Sequence, residues 1–290
     1  IRLSLVGSEM CIRDRLLYIP KNSRKPRNPR LCAICACTAV NPMKRTLTGL
    51  VSALCLASGA YAAEVSVAVA ANFSAPMQKI ATAFERDSGH QAVLSFGSTG
   101  KFYAQISHGA PFQILLAADQ TTPERLEREG MTVSGKRFTY AIGKLALWSR
   151  QPDLVDAQGA VLRSDRFASI ALADPRLAPY GAAAIETLGH LDLLKALQAK
   201  FVQGENIAQA YQFVATENAP LGFVALSQIY ADGIISEGSA WIVPVEFYSP
   251  LLQDAVILKT GADNPAAVAL ADYLRGEKAR SIMQSYGYGF

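Results

Sequence analysis

Cysteine stops at residue 55. All five cysteines (Cys11, Cys32, Cys35, Cys37, Cys55) lie near the start of the 290-residue chain, so whatever folds later holds no disulfide and no thiolate metal site. Histidine is almost as scarce: His90, His108 and His190 show no paired ligand spacing, which argues against zinc and places them on surface turns. No internal repeat occurs, and 21 Gly and 14 Pro are ordinary numbers, so collagen-like and low-complexity classes are excluded. With 50% hydrophobic and 18% charged residues the chain is too apolar to stay disordered and long enough for one large or two modest domains.

The net charge of +4 is misleading. Ten of the 28 Lys and Arg but only two of the 24 acids precede residue 64, which leaves 18 basic and 22 acidic side chains from Glu64 onward. The folded part is therefore acidic, and a basic charge no longer argues for nucleic acid or an anionic membrane as partner. Met43-Lys44-Arg45-Thr46, the apolar run Leu47 to Ala57 and Ala60-Tyr61-Ala62 have the order of a secretory signal peptide, predicted over 43–62 with cleavage after Ala62. That apolar run is too short to span a bilayer, and Leu54 before Cys55 does not suit a lipoprotein site. Residues 1–42 are expected to be an upstream or artefactual segment, since Leu3 to Arg15 resembles translated adaptor sequence and Lys21 to Arg30 looks like out-of-frame coding. Cys32, Cys35 and Cys37 lack the fourth ligand that a metal site would need.

From Val65 onward apolar residues alternate between strand and helix periods. Val65–Ala71, Gln91–Phe96, Phe112–Ala117, Thr139–Trp148, Ser169–Ala173, Leu221–Ala225, Trp241–Val245 and Val256–Lys259 read as strands. Helices are predicted from Met77, Ile80 and Phe84 up to Gly89, then over Gly100–His108 and from Thr122-Pro123, with Thr122 as N-cap. Others follow at Ala182–Leu188, Leu191–Phe201, Ile207–Thr216, Ser227–Asp232, Pro265–Leu274 and Glu277–Tyr286. Strands alternating with helices imply an α/β fold with mostly parallel sheets covered on both faces, and this length suits two lobes.

In such sheets ligands bind beyond the carboxyl ends of strands, where helix N-termini present unpaired N–H groups. The first two such turns, Ala70-Ala-Asn-Phe-Ser74 and Phe96-Gly-Ser-Thr-Gly100, hold small residues and the neutral donors Asn72, Ser98 and Thr99, which ordinary N-capping would also explain. Neither contains Arg, Asp or Glu, so a cation, sugar or amino acid would find few charged partners. A small oxyanion held by neutral dipoles fits better. Lys101, one position inside a helix, is expected to be solvated.

These strings resemble the periplasmic molybdate-binding proteins of ABC transporters. The resemblance covers 64–290 and rests on Val69-Ala-Ala-Asn-Phe73, Ser95-Phe-Gly-Ser-Thr-Gly100, Gly109-Ala-Pro-Phe112, Ala117-Ala-Asp-Gln120, Ala173-Asp-Pro175, Pro179-Tyr-Gly181, Asn218-Ala-Pro-Leu-Gly222 and Tyr286-Gly-Tyr288. It implies a two-lobed periplasmic-binding-protein fold of type II with the ligand in the inter-lobe cleft. Lobe I would comprise 63–142 and 247–290, lobe II 143–246, with hinges near Ala141–Gly143 and Val245–Phe247. It also implies no enzymatic activity, no cofactor, a molybdate or tungstate ligand, a membrane permease as partner, a periplasmic location and a monomer. Carried over, the ligand contacts fall on Asn72, Thr99, Tyr180 and Ile207, with Ser98, Ala71 and Ala225 as possible additions. Ala225 stands where some members have Tyr. Tyr180 is expected to supply a hydroxyl instead, or else to pack at the lobe interface.

Three rival readings remain at this stage. Ser98-Thr-Gly-Lys101 with Lys259-Thr-Gly261 matches two of the three elements of penicillin-recognising serine acyltransferases, without the intervening S-x-N. An iron carrier would use Tyr286 and Tyr288, and a sulfate or phosphate carrier would share the fold. A P-loop fails at both ends, on Ser95 and Phe102.

Overall fold

The computed structural model describes residues 62–290. The upstream segment, all five cysteines and the predicted signal peptide up to residue 61 lie outside the described residues.

The first sheet begins with β1 (Glu64–Ala70), followed by a 3-10 turn at Ala71–Phe73 and α1 (Ser74–Ser88). Next come β2 (Gln91–Gly97), α2 (Thr99–Ser107), β3 (Ile114–Leu116), α3 (Thr121–Arg128) and β4 (Phe138–Gly143). The second sheet takes over with β5 (Leu145–Ser149), β6 (Ile170–Ala173), α4 (Pro179–His190), α5 (Leu194–Leu197), β7 (Phe201–Gly204), α6 (Ile207–Ala215), β8 (Leu221–Ala225) and α7 (Leu226–Ile229). A small hairpin, β9 (Tyr230–Ala231) with β10 (Ile234–Ile235), precedes β11 (Ser239–Ile242). The chain then returns to the first sheet as β12 (Leu251–Ile257) and closes with α8 (Pro265–Arg275) and α9 (Glu277–Ser285).

Strand order is β2-β1-β3-β12-β4 in one sheet and β11-β5-β8-β6-β7 in the other. Each sheet is parallel except for one reversed strand, β12 in the first and β5 in the second. Those two strands are where the chain enters each sheet from the other: it leaves the first between Gly143 and Leu145 and comes back between Ile242 and Leu251.

Burial follows the strand period. Val65, Val67 and Val69 pack with Phe73, Met77, Ile80 and Leu270 on one face of the first sheet, while Ala68 meets Phe102 and Leu126 on the other. In the second sheet Leu145, Leu147 and Phe223 face α4, and Ala146, Trp148 and Val224 face α6, where Tyr211 stacks on Trp148 at 5.2 Å. Both faces of both sheets are covered, which is why these strands read as nearly continuous apolar runs. Gly89 ends α1 in the left-handed region at φ 72°, as the glycine at that position predicts.

Several boundaries differ from the sequence reading. The run Thr139–Trp148 is not one strand but β4 and β5 in different sheets, because the chain changes sheets at Gly143 and periodicity does not register which partner a strand has. Leu191–Phe201 is not one helix: it breaks at Asp192, whose φ is 57°, and its end supplies the edge strand β7. Beyond Leu226–Ile229 the predicted helix gives way to the small hairpin. The last strand starts at Leu251 rather than Val256, hidden by its buried Gln253 and Asp254. Finally, α3 opens at Thr121, so Thr122 lies inside the helix and is not its N-cap; the Asp119 carboxylate accepts the Thr122 N–H at 2.9 Å and the Thr122 hydroxyl at 3.1 Å.

Candidate functional site

Four turns at the carboxyl ends of β1, β2, β6 and β7 converge between the two sheets. They frame a small cavity lined by Ala71 and Asn72 from the first turn, Ser98 and Thr99 from the start of α2, Tyr180 from the start of α4 and Ile207 from the start of α6. The structure thus brings together six of the seven residues expected from the sequence. Ala225 is the exception: it is fully buried, its N–H bonded to Gln228 Oε1, and it does not line the cavity. No Lys, Arg, Asp or Glu lines it either.

Ser98 sits at the N-cap position of α2, with φ −79° and ψ 146°, yet its side chain makes no capping bond. Its hydroxyl oxygen is buried and has no hydrogen-bond partner. A buried hydroxyl without a partner costs about 1–3 kcal/mol, so ordinary capping does not explain this serine. Thr99 Oγ1 accepts the Ala118 N–H at 3.1 Å, which leaves its own proton to donate. At α6 the cap is conventional: Asn206 accepts the Gln209 N–H at 3.1 Å, and Gln209 Oε1 in turn accepts the Glu205 N–H. That cap leaves the N–H of Ile207, the first residue of the helix, without an intrahelical partner, as are those of Thr99 in α2 and Tyr180 in α4.

Two expected side-chain donors are turned elsewhere. Asn72 Nδ2 donates to Gln253 Oε1 at 2.9 Å and to the Tyr288 hydroxyl at 3.0 Å, so what this residue turns to the cavity is backbone. The Tyr180 hydroxyl accepts from Gln253 Nε2 at 3.1 Å, and the tyrosine packs at the lobe interface, the alternative reading of that residue. Around these two a buried polar network spans both sheets. Tyr140 Oη donates to Gln253 Oε1, Tyr288 Oη donates to the Asn72 carbonyl, and Ser227 Oγ from α7 reaches the same carbonyl at 2.8 Å. Burial pushes the Tyr140 and Tyr180 phenols well above their ordinary range and Tyr288 to about 12, so the network stays uncharged at any physiological pH. Nearby, burial also raises the Asp119 carboxyl, against the pull of its bonds from Thr122.

At the mouth of the cavity the sheets meet directly. The Gly100 N–H donates to the Leu177 carbonyl at 2.9 Å, a close approach that glycine eases, since a Cβ there would lie 3.1 Å from Leu177 backbone. Lys101 is not merely solvated: it pairs with Glu205 across the gap at 2.5 Å. That pairing removes Lys101 from Ser98, and Lys259 lines a separate cavity beside Gly109 and Gly130, so the two acyltransferase elements do not meet. Tyr286 and Tyr288 do not form a chelating pair: Tyr288 is buried in the network, while Lys79 lies over the Tyr286 ring. Among the described residues no cluster of His, Cys, Asp and Glu could hold a metal ion.

Helix N-termini opening from two mixed α/β sheets onto a shared buried cavity define a binding protein, and similarity agrees. Residues 65–289 match the family of bacterial extracellular solute-binding proteins, to which the chain belongs. Within that class it belongs with the molybdate-binding proteins. It is 59% identical to the molybdate-binding protein ModA of Azotobacter vinelandii, over 85% of this chain and 99% of that one. It is also 48% identical to the ModA of Rhodobacter capsulatus, over 83% and 94% of the two chains. A solved periplasmic molybdate-binding protein from Azotobacter vinelandii superposes with a TM-score of 0.76 at 42% identity, covering 78% of this chain and 99% of that one. These relatives are binding proteins, not enzymes.

Sequence reasoning missed Gln253, Tyr140 and Ser227, and it placed Tyr288 only in the closing Tyr286-Gly-Tyr288 string and in the iron-carrier alternative. The only local signal was a polar pair, Gln253-Asp254, inside an apolar run that ends at Leu258.

Proposed function

We propose that this protein captures molybdate, and also tungstate, in the cavity between its lobes and delivers it to the membrane permease of an ABC transporter. The observation that carries the reading is a buried cavity with an unpartnered Ser98 hydroxyl, free helix-start N–H groups and no ionic side chain. A dianion moved out of water needs dense hydrogen bonding, and the positive ends of α2, α4 and α6 point their first N–H groups at one place. Ser98 and Thr99 supply hydroxyls; Asn72, Tyr180 and Ile207 supply N–H groups, with Ala71 as wall. Because molybdate, tungstate and sulfate are all dianions and no charged side chain lines the cavity, the reading takes anion size rather than charge as what separates the first two from the smaller sulfate. Phosphate is disfavoured because its proton at neutral pH needs an acceptor, and no carboxylate lines the cavity.

The lobes divide at the two sheet crossings, near 142–143 and 246–247, and hinge there. An exported, periplasmic monomer cleaved after Ala62 is the form in which the capture takes place. Closure is tested by small-angle scattering: molybdate is expected to reduce the radius of gyration, and calorimetric binding without any compaction would contradict a hinged mechanism.

A further inference from the structure

We propose that Gln253 is a positioning residue that couples closure of the lobes to the geometry of the anion site. The proposal rests on the reading of that cavity as an oxyanion site. Gln253 is fully buried on β12, the reversed strand of the first sheet, and the register of β12 against β4 shifts between Gln253 and Asp254. Such a bulge re-aims side chains. Here it lets two consecutive polar residues be buried in different surroundings: Asp254 bonds Arg137 and Thr139 within the first lobe, while Gln253 reaches the interface.

The amide of Gln253 bridges the two lobes. Its Oε1 accepts from two donors of the first lobe, Asn72 Nδ2 and Tyr140 Oη, both at 2.9 Å. Nε2 faces the second lobe, where it donates to the Tyr180 hydroxyl at 3.1 Å. One side chain thus fixes the turn that carries Asn72 and the helix start that carries the Tyr180 N–H, and the second bond exists only while the lobes are together. Gly143, the last residue before the chain changes sheets, lies against the same two groups: a Cβ there would collide with both the Tyr180 hydroxyl and the Gln253 amide. Crossing point, amide and ligand-facing helix start are packed into one spot, so a hinge rotation at Gly143 alters the Gln253 to Tyr180 bond directly. Cutting that bond loosens the start of α4 and favours the open form, which appears as faster release.

The test measures molybdate association and dissociation rates on the full chain for Gln253→Met, which keeps length and removes every polar bond, for Tyr180→Phe, which keeps the N–H, and for the pair. Gln253→Met is expected to raise the dissociation rate about three- to tenfold, the worth of one net hydrogen bond, with association within twofold. The double variant should release no faster than Gln253→Met alone, since both remove the same bond. A Gln253→Met protein with lowered ligand-free Tm but unchanged release would show a merely structural residue and overturn the proposal, as would additive effects in the pair. If Gln253→Met does not fold, Tyr180→Phe decides: unchanged release overturns it. Failure of the unsubstituted protein to bind molybdate is a separate result, which removes the oxyanion reading itself.

Discussion

Replacing Ser98 with alanine is expected to weaken molybdate binding by about ten- to a hundredfold while leaving the ligand-free protein as stable as before. The two halves of that expectation come from one observation, the buried hydroxyl that caps nothing. Alanine at an N-cap ordinarily costs about 1 kcal/mol because a capping bond is lost. Here no such bond exists, and removing an unpartnered hydroxyl relieves its desolvation. In the complex the same hydroxyl meets a dianion, and hydrogen bonds to charged groups are worth about 1.5–3 kcal/mol, which is the affinity loss stated. Calorimetry and thermal melts on the same preparation check it. A Tm lowered by several degrees with unchanged affinity would make Ser98 a capping residue after all.

Proline at position 207 is expected to cost a comparable or larger factor in affinity without disrupting α6. Ile207 is the first residue of that helix, where proline's fixed φ is suitable and its missing N–H breaks no helical bond. Asn206 before it is extended, with φ −148° and ψ 173°, the conformation a residue before proline prefers, and its cap on Gln209 is untouched. The substitution therefore deletes one N–H pointed at the anion. Some stability is lost too, since the isoleucine side chain is only 3% exposed. Ile207→Val serves as control, because it trims the side chain and keeps the N–H: it should bind normally. Equal weakening by valine and proline would mean that packing, not the N–H, matters at this position.

Much of the site was legible because its chemistry is local. A helix start after a strand is written in four or five consecutive residues, so Ala70-Ala-Asn-Phe-Ser74 and Phe96-Gly-Ser-Thr-Gly100 could be read without knowing what they face, whereas Tyr180 and Ile207 as contacts came only with the family resemblance. What those side chains do is a different matter. Asn72 and Tyr180 looked like donors to the ligand, yet their polar ends are committed to partners 181 and 73 residues away. No periodicity encodes pairings at that separation. The same limit hid the change of sheet at Gly143, where the strand pattern runs on but the partner changes, and the start of β12, where buried Gln253 and Asp254 make a core strand look polar. The failures at Asp192, after Ile229 and at the start of α3 lie elsewhere, while those that touch the site lie between the crossing point and the network below the cavity. That is where polar groups are buried on purpose and apolar patterning is a poor guide.

Titrating the purified protein with molybdate, tungstate, sulfate and phosphate in an isothermal calorimeter tests the central claim most directly. Neutral donors in a closed cavity predict tight one-to-one binding of molybdate and tungstate with similar affinity, at least a hundredfold weaker sulfate and no measurable phosphate. Tight binding of sulfate with none of molybdate would contradict the account.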